Sequence, residues 1–326
     1  LFEIGRMIVD GRVPEPGARR GTQLKMEDKT DYIDHLLSHV SLDSLVPMKV
    51  VVNSGNGCAG AVIDLLEERL PVQFVRLHHQ PDGTFPNGVP NPLLPENRKE
   101  TAAAVTLHQA HFGIAWDGDF DRCFFWDEQG NFIEGYYMVG LLAQEMLSRE
   151  RGAKILHDPR LVWNTVELVE AAGGIPVQTR TGHALIKERM WQEQAVYGGE
   201  MSAHHYFRDF GCCDSGMIPW LLIYSLMSRT GKPLSELIGS RMDAYPTSGE
   251  INSVVKDPDG VIGKVEKAFP GGSRETVDGL SVAFEDFRFN IRKSNTEPLL
   301  RLNVETRGDA ALLEQKTAEL LALIRD

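Results

Sequence analysis

Asp117, Asp119 and Asp121 alternate within Asp117-Gly118-Asp119-Phe120-Asp121-Arg122. Carboxylates crowded in this way repel one another unless a positive charge shares the space. Oxygen donors of this kind suit a hard divalent cation, Mg²⁺ first. Apolar Phe112-Gly113-Ile114-Ala115-Trp116 precedes them and Cys123-Phe124-Phe125-Trp126 follows, which reads as strand, tight loop, strand, with the carboxylates at the turn. A calcium-binding EF-hand would use the same aspartates as its first, third and fifth positions and Glu128 as its twelfth. Its sixth position needs glycine and is Arg122 here, and the flanks read as strands rather than helices. A solvated acidic turn would have no need of apolar flanks that pin it to a buried sheet.

Two further segments gather polar groups. Gly198-Gly199-Glu200-Met201-Ser202-Ala203-His204-His205 follows a predicted strand, and Thr181-Gly182-His183 lies at an earlier strand-to-helix turn. Glycines beside Glu, Ser and His let a backbone approach a ligand while polar groups converge, as a sugar's hydroxyls require. Such turns cluster at the carboxyl edge of an α/β sheet, where ligands bind. Arg292-Lys293-Ser294-Asn295-Thr296-Glu297-Pro298 ends a strand near the C-terminus. A guanidinium with hydroxyls, an amide and exposed backbone N–H groups reads as a phosphate grip; a polar hairpin turn is the alternative. Gly55, Gly57 and Gly60 match a dinucleotide fingerprint, but the strand end about 20 residues on, Val75-Arg76-Leu77-His78-His79, carries no ribose-binding acid, so a structural tight turn is the better reading.

The elements that must position these segments alternate. Helical spacing of Ile33, Leu36, Leu37 and Val40, a buried strand over Met48 to Val52, the metal-loop strands and a long helix from Tyr136 to Arg149 predict an α/β unit. The alternation repeats to about Arg241. From about Tyr245 the strands read as antiparallel, with a closing helix capped by Asp309. The expected fold is therefore two consecutive α/β domains with mainly parallel sheets and a C-terminal α+β domain with an antiparallel sheet. Their expected bounds are 25–149, 150–242 and 243–326, after a leading segment 1–24 that looks like the tail of a preceding domain and its linker. A net charge of −12 argues against a generic nucleic-acid or anionic membrane surface. No apolar run approaches the ~20 residues of a membrane span. Four cysteines without zinc spacing fit free thiols in a reducing, cytoplasmic setting.

An aspartate metal loop, a Gly-Glu-Met-Ser loop and an Arg-x-Ser-Asn-Thr-Glu-Pro loop, in that order and one per domain, resemble the α-D-phosphohexomutase family, most closely its bacterial phosphomannomutase members. The resemblance runs from about Thr30 to the C-terminus. It implies interconversion of mannose 6-phosphate and mannose 1-phosphate through a phosphoserine enzyme and a hexose bisphosphate, feeding nucleotide-sugar synthesis. The family's serine sits in a Thr-Ala-Ser-His-Asn-Pro type sequence in its first domain, and no such sequence occurs here. The resemblance further implies Mg²⁺ on Asp117, Asp119 and Asp121, and Arg122 on the phosphoryl oxygens. Glu200 and Ser202 would hold the sugar's 3- and 4-hydroxyls, and His183 and His204 would line the cleft. Arg292, Ser294, Asn295 and Thr296 would grip the phosphate that is not reacting. Where several family members have a lysine as candidate general base, this chain has Arg160, which stays protonated and can orient substrate but not accept a proton. His183 is then the candidate base. The expected partner is a hexose phosphate, and the expected assembly a monomer or dimer. The same chemistry on glucose phosphates, a catalytically incomplete sugar-phosphate-binding fragment, and a nicotinamide-dependent oxidoreductase resting only on the three glycines are the alternatives.

Overall fold

The structure, a computed structural model, describes residues 2–15, 17–26, 28–294 and 299–326. Helix α1 (Phe2–Val9) buries none of its residues. The first α/β unit contains α2 (Thr30–Leu37), β1 (Met48–Asn53), α3 (Gly60–Glu67), β2 (Val72–Leu77), α4 (Lys99–His108), β3 (Phe112–Trp116), β4 (Cys123–Trp126) and β5 (Phe132–Ile133). Its sheet has the order β2-β1-β3-β4-β5. The first three strands are parallel and the last two join antiparallel. Every residue of β3 and β4 is buried, as a strand covered on both faces requires.

The second unit contains α5 (Gly135–Arg149), β6 (Lys154–His157), α6 (Trp163–Ala171), β7 (Ile175–Gln178), α7 (His183–Glu193), β8 (Tyr197–Gly199), β9 (His205–Phe207), β10 (Cys213–Asp214), α8 (Ile218–Thr230) and α9 (Leu234–Ala244). Its order, β10-β9-β8-β6-β7, repeats the plan of three parallel strands continued by an antiparallel pair. Both α/β sheets are thus mixed, and their antiparallel margins include strands of two or three residues, too short to leave a periodic signal. Helix α5, which the sequence reading placed at the end of the first unit, lies along α6, where a Cβ on Gly140 would meet Asn164 and Leu168. Helix α8 is buried from Ile218 to Met227. It reaches the first unit through Trp220 on Phe74 and through the Tyr224 hydroxyl, which donates to the Val46 carbonyl at 2.7 Å. One hydrophobic core therefore runs through both α/β units.

The C-terminal unit has a core of its own. It consists of β11 (Ile251–Val254), α10 (Pro258–Ala268), β12 (Ser273–Glu275), β13 (Leu280–Ala283), β14 (Phe287–Lys293), β15 (Leu299–Thr306) and α11 (Ala310–Arg325). The strands form one antiparallel sheet, β11-β15-β14-β13-β12. Asp309 caps α11 by accepting the Leu312 N–H at 2.8 Å, as predicted. No helix among the described residues is long and apolar enough to cross a membrane.

Candidate active site

The aspartate loop joins β3 to β4 antiparallel, so no helix flanks it and an EF-hand is excluded. Asp117 is 3 % exposed and held by Arg122, whose Nε donates to Oδ2 at 2.6 Å. Asp119 faces outward and Asp121 is half-buried. Ligand oxygens of all three lie within 4.8 Å of one another. The Oδ1 of Asp121 is buried and receives no hydrogen bond from the described residues. Burial, with Asp117, Asp119 and Asp214 nearby, pushes the Asp121 carboxyl up to about 6, against the pull of His204. An orphaned oxygen in an overcrowded carboxylate trio fits a divalent cation with oxygen ligands.

Two glycine contacts set the loop's shape. A Cβ on Gly57 would stand 2.5 Å from the Gly118 oxygen, and one on Gly216 would stand 2.3 Å from the Phe120 oxygen. The glycine turn at Gly55, Gly57 and Gly60 thus serves close packing: the Cys58 N–H donates to the Gly118 carbonyl at 3.1 Å, and Gly55 and Gly60 press on Pro90 and His79. That accounts for the fingerprint without a nucleotide.

The Gly-Glu-Met-Ser turn meets this loop directly. Arg122 and His204 form a β-bridge, and the Cys123 N–H donates to the Ala203 carbonyl at 3.1 Å. His204 Nδ1 lies 2.9 Å from Asp214 Oδ2 and 3.7 Å from Asp121 Oδ2. Burial works against the charged form of His204, but Asp214, Glu200 and Asp121 together raise its pKa. His183, at the start of α7, places Nε2 3.4 Å from the other oxygen of Asp214. Tyr206 stacks with each imidazole, its ring centroid 5.9 Å from that of His183 and 6.2 Å from that of His204.

Arg160 ties the residues of the Gly-Glu-Met-Ser turn together. It is 2 % exposed, and its Nη2 donates to Asp158 Oδ2 at 2.7 Å, Ser202 Oγ at 3.2 Å and Glu200 Oε1 at 3.4 Å. Tyr206 donates its hydroxyl to the other Glu200 oxygen at 2.8 Å. Burial disfavours the Arg160 cation, yet Asp158 and Glu200 more than offset this, so its pKa is raised and it holds its proton.

The third turn reaches the same place through Glu250, which accepts from Arg160 at 3.5 Å, Arg292 at 3.3 Å and Arg301 at 3.2 Å. Arg292 also donates to Thr181 Oγ1 at 3.3 Å. Its pKa is lowered, first by burial and then by the charge of Arg160. The Nε atoms of Arg160, Arg292 and Arg301 are buried and have no hydrogen-bond partner among the described residues. Crowded guanidiniums with unused donors are the environment an incoming phosphate relieves. Ser294 follows β14, its N–H donating to the Leu299 carbonyl at 2.9 Å. Asn295 and Thr296 lie outside the described residues.

The structure therefore brings Asp117, Asp119, Asp121, Arg122, Arg160, His183, Glu200, Ser202, His204 and Arg292 into one group linked by contacts. Sequence reasoning missed Asp158, Tyr206, Asp214, Glu250 and Arg301. Asp158 and Asp214 sit beside residues already singled out and were within reach. Glu250 and Arg301 gave no local signal, because only the pairing of β11 with β15 brings them together.

Comparison with known proteins follows the same partition. Models of the phosphoglucomutase/phosphomannomutase alpha/beta/alpha domain II, alpha/beta/alpha domain III and C-terminal domain match residues 30–130, 134–245 and 250–322. A protein named "Phosphohexose mutases" from Xanthomonas campestris pv. campestris is 61 % identical over the whole chain, which covers 73 % of that relative. A phosphomannomutase from Salmonella montevideo is 58 % identical over 99 % of the chain, covering 73 % of it. Among solved structures, a phosphoglucomutase/phosphomannomutase family protein from Burkholderia thailandensis superposes with a TM-score of 0.84 at 30 % identity, over 98 % of this chain and 69 % of that one.

Proposed function

The chain belongs to the phosphoglucomutase/phosphomannomutase family of isomerases, and from that premise we propose that it takes part in interconverting mannose 6-phosphate and mannose 1-phosphate. The observation that carries the reading is the continuous set of contacts running from Asp121 through His204 and from Glu200 through Arg160 and Glu250 to Arg292. Sites for a cation, a polyol and a phosphate then share one cleft.

In this reading Arg292, with Ser294, Asn295 and Thr296, holds the phosphate that is not reacting. Glu200 and Ser202 bind adjacent sugar hydroxyls, and Arg160 keeps both in place as a fixed cation. Asp117, Asp119 and Asp121 would hold Mg²⁺, which supplies charge neutralisation when bound. Arg122 faces the transferring phosphoryl group. The donor is a phosphorylated serine of the full-length enzyme. Its P–O bond breaks as a sugar hydroxyl bonds to phosphorus, and the hydroxyl proton passes to a base. Arg160 cannot accept it, and in this reading His183, 3.4 Å from Asp214, is the acceptor. The bisphosphate then reverses in the cleft and returns its other phosphoryl group to serine. Mannose and glucose share the 3- and 4-hydroxyls, so the same residues serve either sugar. The name of the Xanthomonas relative favours this broader second reading.

Assaying full-length enzyme with mannose 1-phosphate and glucose 1-phosphate in the presence of Mg²⁺ tests the assignment. Turnover with a preference for mannose is expected. Equal rates would establish the broader reading, and absence of turnover on both would remove the mutase assignment.

A further inference from the structure

A carboxylate of the C-terminal sheet caps a helix of another unit. Helix α6 begins at Trp163 with no side-chain cap of its own. Its first N–H groups instead meet Glu305, at the far end of β15. Glu305 Oε1 accepts the Val162 N–H at 2.7 Å, and Oε2 accepts the Trp163 N–H at 3.3 Å. Tyr136 donates its hydroxyl to the same carboxylate and accepts the Asn164 N–H at 2.6 Å. An anion at a helix N-terminus is favoured by the helix dipole and satisfies donors that would otherwise be orphaned.

Arg288 is the cross-strand neighbour of Glu305 and donates to it at 2.9 Å. Its remaining donors turn to the loop before α6, reaching the Arg160 carbonyl at 3.0 Å and the Pro159 carbonyl at 2.8 Å. Arg288 is 2 % exposed and Glu305 fully buried. The segment between β6 and α6 is thus gripped at its carbonyls by Arg288 and at its N–H groups by Glu305. Within it stands Arg160, whose side chain runs to Ser202 and Glu200.

We propose that Arg288 and Glu305 are positioning residues: through the backbone of residues 159–163 they fix the Arg160 guanidinium, and so set the register between the sugar-binding and phosphate-binding turns. Among the described residues neither hydrogen-bonds to Glu200, Ser202 or Arg292, and Arg288 meets Arg160 only at its backbone carbonyl. Their effect on catalysis passes through Arg160, and in that respect the inference rests on the function proposed above. Two bidentate groups are needed because each satisfies consecutive backbone atoms at once, which a single hydrogen bond cannot do.

The test is a double-mutant cycle in the full-length enzyme, measuring kcat and KM for mannose 1-phosphate with Arg288→Met, Arg160→Met and both changes together. Expected is a loss of about tenfold or more in kcat/KM for Arg288→Met that nearly vanishes in the Arg160→Met background. Losses that multiply would overturn the proposal, because Arg288 would then act independently of Arg160. Arg288→Lys keeps the charge but not the paired donors, and should fall between wild type and Arg288→Met; it also serves if the methionine variant does not fold. A crystal structure of Glu305→Gln gives a reading independent of turnover. Displacement of Arg160 from Ser202 is expected, and an Arg160 still bonded there would overturn the proposal whatever the enzyme's substrate. A wild-type enzyme inert on hexose phosphates would instead defeat the proposed function and leave the structural comparison intact.

Discussion

A guanidinium at 2 % exposure is held at position 160 only because Asp158, Glu200 and Glu250 surround it. Buried ions are tolerated when paired and penalised when a partner is removed. Glu250 meanwhile pairs with Arg292 and Arg301, so three arginines and three carboxylates interlock before any ligand arrives. Replacing Arg292 should therefore cost affinity more than chemistry. Arg292→Ala is expected to raise KM for a hexose phosphate by roughly tenfold or more, the equivalent of about 1.5–3 kcal/mol for a hydrogen bond to a charged group, with a smaller change in kcat. Steady-state kinetics decides, and an unaltered KM would remove the phosphate assignment. Asp119→Asn works at the other end of the cleft. Asp119 is exposed and accepts none of the loop's hydrogen bonds described above, so stability should hold while the Mg²⁺ concentration for half-maximal activity rises several-fold. Metal titration of the activity measures this. A shift in thermal midpoint without a shift in metal dependence would make Asp119 a structural residue.

At the scale of the element, the aspartate loop is shaped from outside its own sequence. The glycine turn before α3 and Gly216 before α8 both close on its backbone. A methyl at Gly57 would sit 2.5 Å from the Gly118 carbonyl, where backbone rather than a flexible side-chain tip must yield. Gly57→Ala is expected to destabilise the protein by about 1–3 kcal/mol, in the range of overpacked sites. It should also lower metal affinity, because Gly118 lies between two of the proposed ligands. Denaturant unfolding and the same Mg²⁺ titration separate the two effects. A variant with wild-type stability and metal affinity would contradict the packing argument. The strands β3 and β4 and helices α8 and α11 were legible from apolar runs and from the Asp309 cap. Strands β5, β9 and β10 were not, since a two- or three-residue strand is specified by the ladder it joins rather than by its own pattern.

At the scale of the whole molecule, the two α/β units share a core, and several histidines are buried inside it. Burial, aided by the charges of His35 and Arg149, lowers the His39 pKa from 6.5 to about 4; burial and His204 lower His205 to about 3. His157 is lowered as well, chiefly by burial. A histidine whose folded pKa lies below its unfolded value binds protons more readily when unfolded. The stability it permits is present above about 6.5 and is lost as pH falls through the window toward 4. The protein is therefore expected to lose stability on acidification below about 6.5. His39→Gln should flatten that dependence. Thermal midpoints at pH 7.5 and pH 5 for both proteins measure it, and an unchanged slope would show that His39 does not contribute.

The order of the units, the strand-loop-strand that presents three aspartates, and the polar make-up of the three turns were readable from side-chain type and short spacing. The sequence also contained the glycines, but not what they approach. Packing alone joins Glu250 to Arg292, about forty residues further on, and to Arg160 and Arg301, and lets Glu305 cap a helix more than a hundred residues upstream. Those contacts arise from strand pairing between distant segments, and each buried charge meets the partner that makes its burial tolerable only once the units are packed together.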